Sequence, residues 1–207
     1  MIVNFNILPN KKNLIFLLPN FVPGGAGLSI LRLCKSIAHK NFNKYVISLG
    51  NNYYKKKFKK LNFKVIELNQ KSLMSSIKII KKLIIEIIKK NNKKTYLISN
   101  INYANALSCF FFHKIDKLRI ITIERTPLQE LEINSSLVKF FKNIVIKILI
   151  KFFYKNAFIR IGNSIPVSRD LEKFCSCKVK TITPFIQINK KKYKKFNKKI
   201  INLVWIG

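Results

Sequence analysis

The residues best placed to do chemistry lie in one loop, Pro19-Asn20-Phe21-Val22-Pro23-Gly24-Gly25-Ala26-Gly27. It follows an apolar run, Leu14–Leu18, and precedes a helical pattern over Gly27–His39. Glycines at a strand-to-helix turn let a ligand approach the backbone, and the helix start offers unpaired N–H groups to an anion. A plain tight turn would use the same residues, so both readings stand. Two rival phosphate motifs are excluded. No Lys-Ser/Thr follows the glycines, as a P-loop requires. There is no G-x-G-x-x-G, and the second apolar run ends at Ser48-Leu49-Gly50-Asn51 without a carboxylate for a ribose, which disfavours NAD.

Other chemically capable residues read more plainly. His39 and His113 stand near helix ends, where a cation suits the macrodipole. Cys175-x-Cys177 lacks the two-residue gap of a zinc knuckle or redox pair and reads as structural. Asn163 and Ser164, just before Pro166, suit the cap of a helix, with ligand contact as the alternative.

Short Ile/Val/Phe-rich runs alternate with helical patterns and must position these residues. Leu14–Leu18, Tyr45–Leu49, Phe63–Leu68, Tyr96–Ile98, Arg119–Ile123 and Ala157–Ile161 predict strands, continuous and apolar as in parallel sheets buried on both faces. Helices are predicted over Gly27–His39, Tyr53–Leu61, Ser72–Lys90, Tyr103–His113 and Ser135–Tyr154. Within the third, Lys78, Lys82, Glu86 and Lys89 share one face, opposite Ile80, Leu83, Ile84, Ile87 and Ile88. This alternation predicts a doubly wound, Rossmann-like α/β domain with a parallel sheet.

The 207 residues fit one domain, 48% of them hydrophobic, with few Gly and Pro, which excludes disordered-tail and collagen-like classes. Four Cys without framework spacing fit a reducing compartment. Charge is the extreme feature: 41 Lys+Arg against 8 Asp+Glu, a net +33. Of the basic residues 36 are Lys and 5 Arg, beside 34 Ile and 23 Asn. Those three types share A/T-rich codons, so a solvated lysine coat and an anionic partner are both open readings. The run Leu14–Leu18 is too short for a signal peptide, and lysines interrupt Leu137–Tyr154 too often for a membrane span. The expectation is a cytoplasmic protein, peripheral on the inner membrane face if attached at all. On a helical projection Lys139, Lys142, Lys147, Lys151 and Lys155 form one broad face beside Phe140, Phe141, Ile144, Ile148, Leu149 and Phe152. That pattern fits either an anionic bilayer or an ordinary helix packed on the sheet.

Taken in order, several segments resemble the N-terminal domain of a family 4 glycosyltransferase of GT-B fold. They are the Pro19-x-x-x-x-Gly24-Gly25-Ala26 loop, then Leu31-x-Leu33 and Ile37-Ala38, and Thr122-Ile123-Glu124-Arg125-Thr126-Pro127. Asn156-Ala157, Gly162-Asn163-Ser164 and Val167-Ser168-Arg169-Asp170-Leu171 continue the likeness. Thr181-Ile182-Thr183-Pro184-Phe185-Ile186 and Leu203-Val204-Trp205-Ile206-Gly207 extend it to the end of the chain.

The resemblance implies a retaining transferase that moves a sugar from a nucleotide-sugar to a glycan or lipid-linked acceptor in cell-envelope polysaccharide synthesis. No metal or other cofactor is expected. Gly24, Gly25 and Ala26 would face the donor diphosphate. Arg125 would bind an acceptor or donor phosphate, with Glu124 paired to it, where many members place a His; a structural Glu–Arg pair is the alternative. Asn163 and Ser164 join the substrate-binding set, and Lys139, Lys142, Lys147 and Lys151 the membrane-contact set. The implied organisation is an extension (1–13), an acceptor-binding domain (14–187), a Lys/Asn-rich linker (188–199) and the first strand of a donor domain (200–207). Without the donor half, transfer by this chain alone is not expected. The alternative reading is a non-enzymatic basic module for nucleic acid or an anionic membrane; no RNP-like or zinc-finger signature supports specific nucleic-acid binding.

Overall fold

The structure is a computed structural model that describes residues 11–20, 22–132 and 136–183. The proposed linker (188–199), the strand at 200–207 and most of the extension lie outside the described residues. Seven strands make one all-parallel sheet: β1 Lys12–Leu17, β2 Phe42–Ser48, β3 Lys64–Glu67, β4 Thr95–Asn100, β5 Leu118–Glu124, β6 Ile159–Gly162 and β7 Lys180–Thr181. Their spatial order is β3-β2-β1-β4-β5-β6-β7. The helices are α1 Gly25–Ser36, α2 Lys55–Lys60, α3 Leu73–Asn91, α4 Asn102–Phe111, α5 Leu137–Phe153 and α6 Ile165–Cys175. The domain is therefore α/β and doubly wound, in a Rossmann-like manner.

Alternation along the strands divides the core in two. Ile15 and Leu17 of β1 and Tyr45 and Ile47 of β2 face one cluster, with Ile77, Ile80, Ile84 and Ile87 of α3, Leu107 of α4 and Ile146 and Ile150 of α5. Leu14, Phe16 and Val46 face the other, with Ile30, Leu31 and Cys34 of α1 and Phe58 of α2. The isoleucine face expected of the third helix is its buried face. The sheet begins earlier than the apolar run suggests, because Asn13 is not an extension residue but a fully buried part of β1.

Asn13 fixes the centre of the sheet. It is the register partner of Asn43 on β2 and of Thr95 on β4. Its amide nitrogen donates to Thr95 Oγ1 at 2.9 Å and to Asn91 Oδ1 at 3.0 Å. Its oxygen accepts from Asn43 at 3.1 Å and from Asn91 at 2.9 Å. One side chain thus joins three strands to the C-terminal end of α3. A second close fit lies at the other edge, where a Cβ on Gly162 would sit 2.9 Å from the backbone nitrogen of Ser168. Replacing Asn13 by Ala removes its buried hydrogen bonds to Asn43, Asn91 and Thr95, each worth about 0.5–1.5 kcal/mol net. Urea denaturation of Asn13→Ala should show a loss of about 2–4 kcal/mol.

Candidate functional site

Because every strand runs the same way, the loops after β1, β4, β5 and β6 meet at one edge of the sheet. The chain reverses its direction of growth between β1 and β4, which opens a crevice at that edge. The glycine loop leaves β1 there. A Cβ on Gly24 or Gly25 would meet nothing within 4 Å, so both face open space, and Ala26 is half-buried behind them. Gly27 differs: a Cβ there would fall 2.9 Å from the Tyr54 ring, so this glycine is a packing residue.

The two longer helices that start at this crevice share a feature. Neither α1, led by Gly24, nor α4, led by Ile101, has a side-chain cap. The short α2 lacks one too, whereas Ser72, Ser136 and Ser164 cap α3, α5 and α6. Uncapped first-turn N–H groups and the helix dipole both favour an anion. Ile101 adds strain. A β-branched residue at φ 68°, ψ 144° costs on the order of 1–3 kcal/mol, a cost found mostly where geometry serves a site.

Beside it, β5 ends in Glu124-Arg125. The expected pairing of these two residues is not what the structure shows. Successive residues of a strand point to opposite faces, and Glu124 turns into the core while Arg125 turns toward β4. Arg125 donates from Nη2 to Asn100 Oδ1 at 3.1 Å, and its carbonyl accepts from Asn163 Nδ2 at 2.8 Å. Among the described residues it has no ion pair. Burial lowers its pKa, since the charged form has lost water. Asn163 bridges loops and does not cap a helix; Ser164 is the cap, its hydroxyl accepting from Val167 N.

Glu124 is fully enclosed. Its Oε1 accepts hydrogen bonds from Tyr154 OH and, at 2.6 Å, from Asn105 Nδ2. Burial raises its pKa to about 7, and the two donors only partly offset that. Six buried polar atoms without a protein partner gather at this end of the domain: Asn100 Nδ2, Asn105 Oδ1, Thr122 Oγ1, Glu124 Oε2, Arg125 Nε and Asn163 Oδ1. Asn100, Asn102, Asn105 and Tyr154 are the members that sequence reasoning missed. The only signal was Asn at 100, 102 and 105 around a strand–helix junction.

The lysines set apart for a membrane are not alike. Lys147 pairs with Glu132 at 2.8 Å, and Lys142 sits over the Tyr103 ring at 4.9 Å. Lys139 and Lys151 have no such partner among the described residues. Only Asn143, Ile146 and Ile150 of α5 are buried, while Leu137, Val138, Phe141, Val145, Ile148 and Phe152 are each about half or more exposed. Among the described residues no helix is long and apolar enough to cross a membrane.

Two cavities, of about 390 and 500 Å³, lie at the opposite, amino edge of the sheet and contain none of these site residues. Arg125 and the open helix starts lie instead at the carboxyl edge. No family model and no curated protein matches the chain.

Glu124 gives the site a pH signature. A folded pKa near 7 lies above the unfolded value of about 4.3, so the native state holds the extra proton. Its contribution is complete below about pH 4 and is lost as the pH rises through about 7. Glu124→Gln, which mimics the protonated acid, should remove that loss. Wild type minus variant stability, from urea curves between pH 4 and 8, should fall by about 3 kcal/mol across the interval.

Proposed function

We propose that this domain is the acceptor-binding half of a family 4-type glycosyltransferase. It holds a glycan or lipid-linked acceptor while a sugar is transferred, with retention, from a nucleotide-sugar. The observation that carries the reading is the half-buried guanidinium of Arg125, held by Asn100 and without a carboxylate partner among the described residues, at the crevice where α1 and α4 begin uncapped. A cation with two sets of open N–H groups suits a phosphate or diphosphate. The mixed donors and acceptors around it suit hydroxyl groups, which both donate and accept. Gly24 and Gly25 leave room for the phosphate to approach the backbone.

The reading is tested with a water-soluble, short-chain prenyl diphosphate carrying one sugar, titrated calorimetrically. Arg125→Ala should weaken binding at least about tenfold, and Arg125→Lys, which keeps the charge without the fork, by less. Equal binding by wild type and Arg125→Ala would remove Arg125 from the site.

The same reading includes a peripheral location on an anionic membrane, supported by α5, whose rings and lysines Lys139 and Lys151, without an ion pair among the described residues, are exposed together. In co-sedimentation, the protein should bind vesicles containing phosphatidylglycerol and ignore pure phosphatidylcholine. The double variant Phe141→Ser, Phe152→Ser should reduce the bound fraction about fivefold or more. Unchanged binding would leave only nonspecific lysine attraction.

A further inference from the structure

Cys175 and Cys177 meet in a way their spacing alone does not suggest. Cys175 is the last residue of α6, and Ser176 turns the chain through a left-handed conformation, φ 49° and ψ 41°. That turn brings the two sulfurs to 2.9 Å. A disulfide bond, at about 2.05 Å, is less than about 1 Å of further approach away. Cys175 is buried, and its single thiol proton has two acceptors in reach, the Leu171 carbonyl and the Cys177 sulfur, each at 2.9 Å, whereas Cys177 is only half-buried.

A fixed cation stands beside the pair. Arg160 of β6 donates to four carbonyls, those of Lys178 (2.9 Å), Tyr154 (3.1 Å), Lys155 (3.3 Å) and Ala157 (2.9 Å). No carboxylate among the described residues pairs with it. The hydrogen bond from Cys175 and, less strongly, the Arg160 charge lower the Cys177 pKa below the ordinary thiol value, against burial and the Glu172 carboxylate. The partner thiol moves the opposite way, raised first by its bond to Cys177 and then by burial. Of the two, the more accessible Cys177 is the sulfur favoured as thiolate, and the buried Cys175 the one favoured as thiol. Cys34 and Cys109 are buried, with thiols that burial raises, and serve as internal controls.

We propose that Cys175 and Cys177 form a reversible dithiol–disulfide site, oxidised by peroxide and restored by a small-molecule or protein dithiol. In the first step the Cys177 thiolate sulfur attacks one peroxide oxygen. The S–O bond forms, the O–O bond breaks, and the hydroxide released takes a proton to become water. The Cys175 sulfur then attacks the sulfenic sulfur of Cys177. The S–S bond forms, the S–O bond breaks, and the leaving hydroxide takes the Cys175 proton as a second water. Two thiols are oxidised by two electrons and one peroxide is reduced to two waters. A dithiol reverses the change by two successive exchanges, ending as its own disulfide.

The test uses the whole chain, fully reduced, treated with hydrogen peroxide at neutral pH. The expected result is a mass loss of about 2 Da, a fall from four titratable thiols to two, and a peptide map joining Cys175 to Cys177. Dithiothreitol should restore all four thiols. Before oxidation, iodoacetamide should label Cys177 at least about tenfold faster than Cys34 or Cys109. Cys175→Ser should stop at a sulfenic acid on Cys177 that dimedone traps, and Cys177→Ser should keep its remaining thiols. Four surviving thiols in the oxidised wild type, or a link that uses Cys34 or Cys109 or joins two molecules, would overturn the proposal. The wild-type result stands without either variant.

Discussion

Register at the centre of the sheet is the constraint on which everything else rests. A parallel sheet buried on both faces has little in its apolar residues to choose one register from the next, and a slip of one residue turns every side chain to the other face. Asn13 supplies the choice. Its amide donates to Thr95 and Asn91 and accepts from Asn43 and Asn91, and the observed register brings all three to it together. The last of these ends α3, the helix that carries the chain from the β3 edge back to β4. The same bonds therefore place β4 against β1 and create the crevice at their carboxyl ends. A buried polar cluster is a costly way to hold a sheet, but it specifies one arrangement where Ile and Leu would tolerate several.

At the opposite end of the strands, the pleat separates two charges that are neighbours in sequence. Glu124 is drawn into the core, where Tyr154 and Asn105 hold it and burial favours its proton. Arg125 is held at the crevice by Asn100, with no carboxylate partner among the described residues. Had the two paired, the cation would be neutralised and the crevice would have no fixed charge for an anion. The split is thus what leaves a basic residue on a strand end with its charge facing the crevice.

The lysine excess resolves into unequal parts in three dimensions. Lys147 has its acid and Lys142 its aromatic ring, and both help hold α5 to the domain. What α5 turns outward is not a lysine face but a mixed one, with Phe141, Phe152 and Val138 between the charges. A helix presenting rings and lysines together is suited to an interface that is apolar within and anionic at its surface.

The alternation of apolar runs and helical patterns was enough to determine an α/β domain, the strands from β1 to β6, the inward face of α3 and the position of the glycine loop, because these follow from local periodicity. Ser164 was legible as a cap for the same reason, since capping acts across three residues. The roles of Asn13, Asn100, Asn105 and Tyr154 were not legible, because each depends on partners 19 to 82 residues away that only the sheet brings together. The Glu124–Arg125 pairing read from adjacency gave way to the pleat. Cys175 and Cys177 read as structural because spacing says nothing of a left-handed turn. Sequence carries what is periodic and local; the tertiary structure decides which polar groups meet, since that depends on strand order and on which face each residue is given.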